Sequence, residues 1–113
     1  MKDLYRTIKH GDKTYKLAFT INVAEMIQEK YKSIDEWVKK VSPEGEINLR
    51  ALKYGLGLML NEGIDIDNFE NNTENPHYTD KQIGWILTEV GMDTALSEMA
   101  KATTEGAQSA EKN

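Results

Sequence analysis

The chain has 113 residues, 39% of them hydrophobic, and a formal net charge of −5 at pH 7. That length fits one modest domain, and the acidic balance argues against a general nucleic-acid binder, which needs a basic footprint. There is no cysteine, so disulfides and thiolate metal sites are excluded, and no apolar run is long enough to span a bilayer.

Leu4 to His10 and Lys13 to Phe19 flank Gly11-Asp12, a two-residue hairpin turn signal. Pairing His10 with Lys13 sets Ile8 opposite Tyr15, Arg6 opposite Leu17 and Leu4 opposite Phe19, which makes one mostly apolar face. The other face carries Tyr5, Thr7, Lys9, Thr14, Lys16 and Ala18. A one-residue slip would mix the two sets, so the register is specified. Asn22 is expected to cap the next helix, with Val23, Met26, Ile27 and Tyr31 on its inner face. Ser33 and Glu36 form a capping box for a short helix that turns Ile34, Trp37, Val38 and Val41 inward. Pro43 and Gly45 punctuate its end.

Asn48 is expected to cap a third helix, Leu49 to Glu62, stopped by Gly63. Leu49, Leu52, Leu56, Met59 and Leu60 make its main stripe, and Ala51, Tyr54 and Leu58 a second one. A helix apolar on two sides is central, so this one should be the most buried. Gly55 and Gly57 lower its helix propensity and suggest close approach of a neighbour. Ile64 to Tyr78 is expected to be a long acidic loop. Thr79 and Gln82 form another capping box before a helix bearing Ile83, Ile86, Leu87 and Val90, closed by Gly91. A last helix, Thr94 to Thr104, has a small-residue face with Ala95, Leu96, Met99 and Ala102, which predicts a weak hold on the core. The expected fold is α+β, mainly α: an N-terminal hairpin packed on four to five short helices. Residues 1–104 form one small domain and 105–113 a flexible tail.

Chemistry is sparse. His10 and His77 have no second ligand at metal spacing. Asp65-Ile66-Asp67-Asn68 resembles the start of an EF-hand loop, but Phe69, Glu70 and Pro76 occupy positions that loop reserves for a ligand, a glycine and a glutamate. No serine lies in a Gly-x-Ser-x-Gly elbow. The expectation is a protein that is not an enzyme and uses no cofactor or metal. The basic hairpin (Lys9, Lys13, Lys16) and the acidic stretch 61–80 are either two solvated surfaces or the two halves of a head-to-tail homo-oligomer contact. Trp85 faces away from Ile83, Leu87 and Val90, on the side of Lys81, Gln82 and Glu89. It either packs under the acidic loop or stands exposed as an interface aromatic. Trp85, Lys81 and Glu89, with Met99 on the last helix, are the candidate protein-binding residues.

The segments Gly11 to Asn22 (GDKTYKLAFTIN), Leu49 to Leu56 (LRALKYGL) and Tyr78 to Gly91 together resemble the tail assembly chaperones of long-tailed, siphovirus-type bacteriophages and prophages of Gram-positive bacteria. The resemblance covers about residues 11–91, and the acidic loop is its least typical part. It implies a non-catalytic protein that binds the phage tape measure protein during tail assembly, in the cytoplasm of the bacterial host, with no membrane or nucleic-acid partner. The alternative reading is a small prophage-encoded adaptor or regulator of a host protein.

Overall fold

A computed structural model describes the backbone of residues 5–112 and the side chains of residues 5–106. The fold is α+β and mainly α, an antiparallel hairpin packed on five helices. Strands β1 (Tyr5–His10) and β2 (Lys13–Ala18) pair in the expected register, His10 with Lys13, Ile8 with Tyr15 and Arg6 with Leu17. The Leu4–Phe19 pair falls outside the described residues. Gly11 takes φ 63° at the first turn position, the conformation that a type II′ turn asks of glycine. Ile8, Tyr15 and Leu17 are buried, as is Phe19 just past β2. Ala18, on the other face, is buried as well.

Helix α1 (Ile21–Tyr31) starts earlier than expected. Its cap is Thr20 rather than Asn22: the Thr20 hydroxyl oxygen accepts the Val23 N–H at 3.4 Å. The Asn22 side chain is engaged elsewhere: its amide donates to the Glu62 carboxylate, which also accepts from the Thr20 hydroxyl. Helix α2 (Ile34–Val41) is capped by Ser33 as expected, its Oγ accepting the Glu36 N–H at 3.0 Å. Trp37 and Val41 turn inward. Val38, expected beside them, is exposed, so the inner face of this short helix is narrower than its apolar content. A 3-10 turn at Pro43–Gly45 follows.

Helix α3 (Leu49–Asn71) is the spine, touching β2, α1, α2, α4 and α5. Asn48 caps it as expected, accepting the Ala51 N–H at 3.1 Å. It does not stop at Gly63. A Cβ there would come within 2.9 Å of the Lys16 carbonyl oxygen, so the glycine lets β2 lie against the helix. The helix continues through Ile66, which is buried, and ends where Asn72 adopts the left-handed conformation (φ 53°, ψ 49°). Most of the expected long loop is therefore helix, and only the stretch from Asn72 to Thr79 connects to α4. Gly55 is a second close approach: a Cβ there would overlap the Trp37 ring. Gly57 meets Ile83 at an ordinary 3.5 Å. Leu49, expected in the main stripe, is exposed.

Helix α4 (Asp80–Val90) has the full capping box, Thr79 with Gln82. Helix α5 (Met92–Lys112) begins right after Gly91 (φ 89°) and is longer at both ends than the expected Thr94–Thr104. The proposed tail from Glu105 is helical as far as Lys112. Its small face packs closely rather than weakly. Ala95, Met99 and Ala102 are buried, and a Cβ on Gly106 would overlap the Phe19 carbonyl oxygen. Arg6 of β1 ties the helix down through Glu98 (3.2 Å) and Glu105 (3.4 Å).

Candidate protein-binding face on helix α4

Helix α4 is amphipathic in the simple sense. Ile83, Ile86 and Leu87 enter the core, which sends Lys81, Gln82, Trp85, Thr88 and Glu89 outward. Its start is pinned to α3: the Asp80 carboxylate lies 3.1 Å from Lys53 Nζ and 3.6 Å from an Arg50 guanidinium nitrogen. The hydrogen bond from Lys53, with both positive charges nearby, holds the Asp80 carboxyl below its ordinary range. The short connector before α4 is organised by Asn side chains. Asn61 Oδ1 accepts the Tyr78 N–H at 2.8 Å, and Asn68 Oδ1 accepts the Asn75 N–H at 3.0 Å.

Trp85 stands out from this helix with 62% of its surface exposed. It borders a cleft of about 560 Å³ that Lys13, Tyr15, Tyr78, Gln82 and Glu89 also line. Tyr15 and Tyr78 meet edge-on, with ring centres 6.4 Å apart. Glu89 holds the hairpin tip to α4: Lys13 Nζ is 3.6 Å away, His10 Nε2 3.9 Å, and the Tyr15 hydroxyl donates to it at 3.5 Å. Burial, then the charge of Glu89, pushes the Tyr15 phenol up. On the other flank of α4 a groove of about 510 Å³ runs past Leu49, Lys53, Gly84, Thr88 and Met92. Leu49 (54%) and Met92 (42%) are both exposed there. Helix α4 is thus a ridge between two depressions, with apolar side chains exposed on both sides.

Of the candidate residues, Trp85 and Glu89 meet at the first cleft. Lys81 is exposed on the same helix and has no ion-pair partner among the described residues. Met99 does not join them. It is 3% exposed, packed in the core, and lines a different groove of about 290 Å³ between α2 and α5 with Trp37, Val38 and Leu96. Met99 shares its helix face with Ala95 and Ala102, and that face packs inward. Leu49 and Met92 were missed. Leu49 follows the core period but precedes the first turn that α4 covers, and Met92 directly follows the Gly91 break.

The EF-hand-like run lies inside α3, where Asp67 accepts from the Tyr5 hydroxyl (2.9 Å) and Lys16 Nζ (3.1 Å). Burial, with the acceptor Asp67, pushes the Tyr5 phenol well above its ordinary range. Basic hairpin and acidic stretch therefore meet within one chain. Asp65 pairs with His77 at 2.7 Å. Among the described residues, no group of three or more His, Asp or Glu side chains could hold a metal ion, and no helix is long and apolar enough to cross a membrane.

No protein-family model, no curated protein and no solved structure matches this chain.

Proposed function

We propose that this protein is a non-catalytic phage tail assembly chaperone, acting in the cytoplasm of the bacterial host, and that the α4 ridge binds the tape measure protein. The observation that carries the binding surface is Trp85, a large aromatic left exposed between two depressions on a helix pinned by Asp80. The resemblance of residues 11–91 to tail assembly chaperones supplies the partner.

The mechanism is apolar shielding. A long coiled tape measure exposes apolar stripes before tail tube subunits cover it, and such patches drive aggregation. An apolar helical stripe has the shape to lie along a ridge flanked by grooves, with Trp85, Leu49 and Met92 as anchors. Many copies bound in series would keep the tape measure soluble. Co-expression with the tape measure gene tests this. The expected result is co-purification and a larger soluble fraction, both lost with Trp85→Ala. No co-purification and unchanged solubility would overturn it.

A further inference from the structure

We propose that the outer edge of β1 is a second binding site, which takes an extended acidic segment of a protein partner as a third strand. The hairpin geometry dictates which groups are available. His10 and Lys13 flank a two-residue turn and form a hydrogen-bonded pair, and such pairs recur at every second position, at Ile8–Tyr15 and Arg6–Leu17. The N–H and C=O groups of Tyr5, Thr7 and Lys9 therefore point away from β2. No backbone or side-chain group among the described residues bonds to them, and Thr7 and Lys9 are exposed.

The two edges of this sheet differ. On β2 the outward carbonyl of Lys16 lies against α3, at the position where Gly63 replaces a side chain. On β1, helix α5 packs on the face of Arg6 and Ile8, but among the described residues no hydrogen bond reaches the outward groups and no strand other than β2 pairs with it. An unpaired row of donors and acceptors is a template for strand addition.

Charge selects the occupant. Residues 5–18 carry Arg6, Lys9, Lys13 and Lys16 against Asp12 alone. Arg6, Lys13 and Lys16 are engaged by Glu98, Glu89 and Asp67 of the same chain. Lys9 has no ion-pair partner among the described residues and points to the exposed face beside Thr7. A second copy's β1 (Tyr5–His10) carries no carboxylate to set beside Lys9. An acidic segment would instead place carboxylates beside Lys9.

This site is separate from the α4 ridge, and its test needs no tape measure. Amide hydrogen exchange of the full chain is followed by NMR, with a capped seven-residue peptide of alternating Thr and Glu as probe and a Thr–Lys peptide as control. In the free protein the Tyr5, Thr7 and Lys9 amides should exchange fast while Arg6, Ile8 and His10 are protected. The acidic peptide should slow those three amides by about tenfold or more, more weakly at high salt, and the basic peptide should not. Thr7→Pro deletes an N–H that the hairpin does not use, so the fold should persist by circular dichroism while the peptide response is lost. Protection of the three amides in the free monomer would overturn the proposal, as would protection that appears with a doubled mass. An equal response to the basic peptide, or perturbation at Trp85 in place of β1, would overturn it as well.

Discussion

Trp37 and Trp85 lie on two short helices of the same chain and have opposite surroundings. Trp37 is 3% exposed, its indole N–H donates to the Ala51 carbonyl at 3.0 Å, and its ring fills the space left by the missing side chain of Gly55. Trp85 has no such socket. The neighbouring glycine on its helix, Gly84, faces Lys53 rather than a ring. A tryptophan becomes structural where a facing element offers both a carbonyl and a glycine. Where the helix has already buried Ile83, Ile86 and Leu87, the same side chain is left for a partner.

The comparison breaks at its strongest point with Trp37→Ala, expected to cost about 3–5 kcal/mol as a cavity opens between α2 and α3. Urea unfolding measures this, and a cost near zero would mean that the seam is not packed as described. Gly55→Ala tests the socket itself. The new Cβ must displace a buried ring, so a loss of about 1–3 kcal/mol is expected, against a helix-propensity gain of up to about 1 kcal/mol. A stabilised Gly55→Ala protein would show that the close approach is not needed.

Asp80 tests whether the ridge is pinned. Its folded pKa is lowered by Lys53, so its contribution to stability is present above the unfolded carboxylate value of about 3.9 and is lost as pH falls through the folded value. Asp80→Asn should flatten the acid side of the stability–pH curve and leave the alkaline side unchanged. Equal slopes in both proteins would remove Asp80 as the pin. The smallest effect on stability belongs to Trp85→Ala, expected within about 0.5 kcal/mol of the parent. Tryptophan emission should then shift to the blue, because only buried Trp37 remains. A large loss of stability in this variant would place Trp85 in the core and remove the proposed contact surface.

Much of the fold was legible in local chemistry. The register of the hairpin follows from period-two alternation around Gly11-Asp12, and the caps at Ser33, Asn48 and Thr79 follow from hydrogen-bonding groups at fixed offsets. The errors cluster at glycines and helix ends. Gly63 read as a stop because helices often end in glycine, yet it serves the approach of β2. Asn22 was expected to cap α1, but Thr20 holds that place, and the Asn22 amide donates instead to Glu62, forty residues away. For the candidate site, the outward direction of Trp85 was readable from the α4 period. Its exposure was not, because that depended on whether the acidic stretch formed a loop above it or a helix elsewhere.

By itself the sequence determined the local elements and their inner faces: period, capping and turn residues act over a few positions, and the chain carries that information directly. Only the tertiary structure decided how long α3 and α5 run, which glycines are contacts, why Met99 is core and Trp85 is surface, and that the Lys16 carbonyl of β2 lies against α3. Those outcomes rest on contacts between residues far apart in the chain, where one approaching backbone carbonyl or carboxylate outweighs the few tenths of a kcal/mol (roughly) that local propensity supplies.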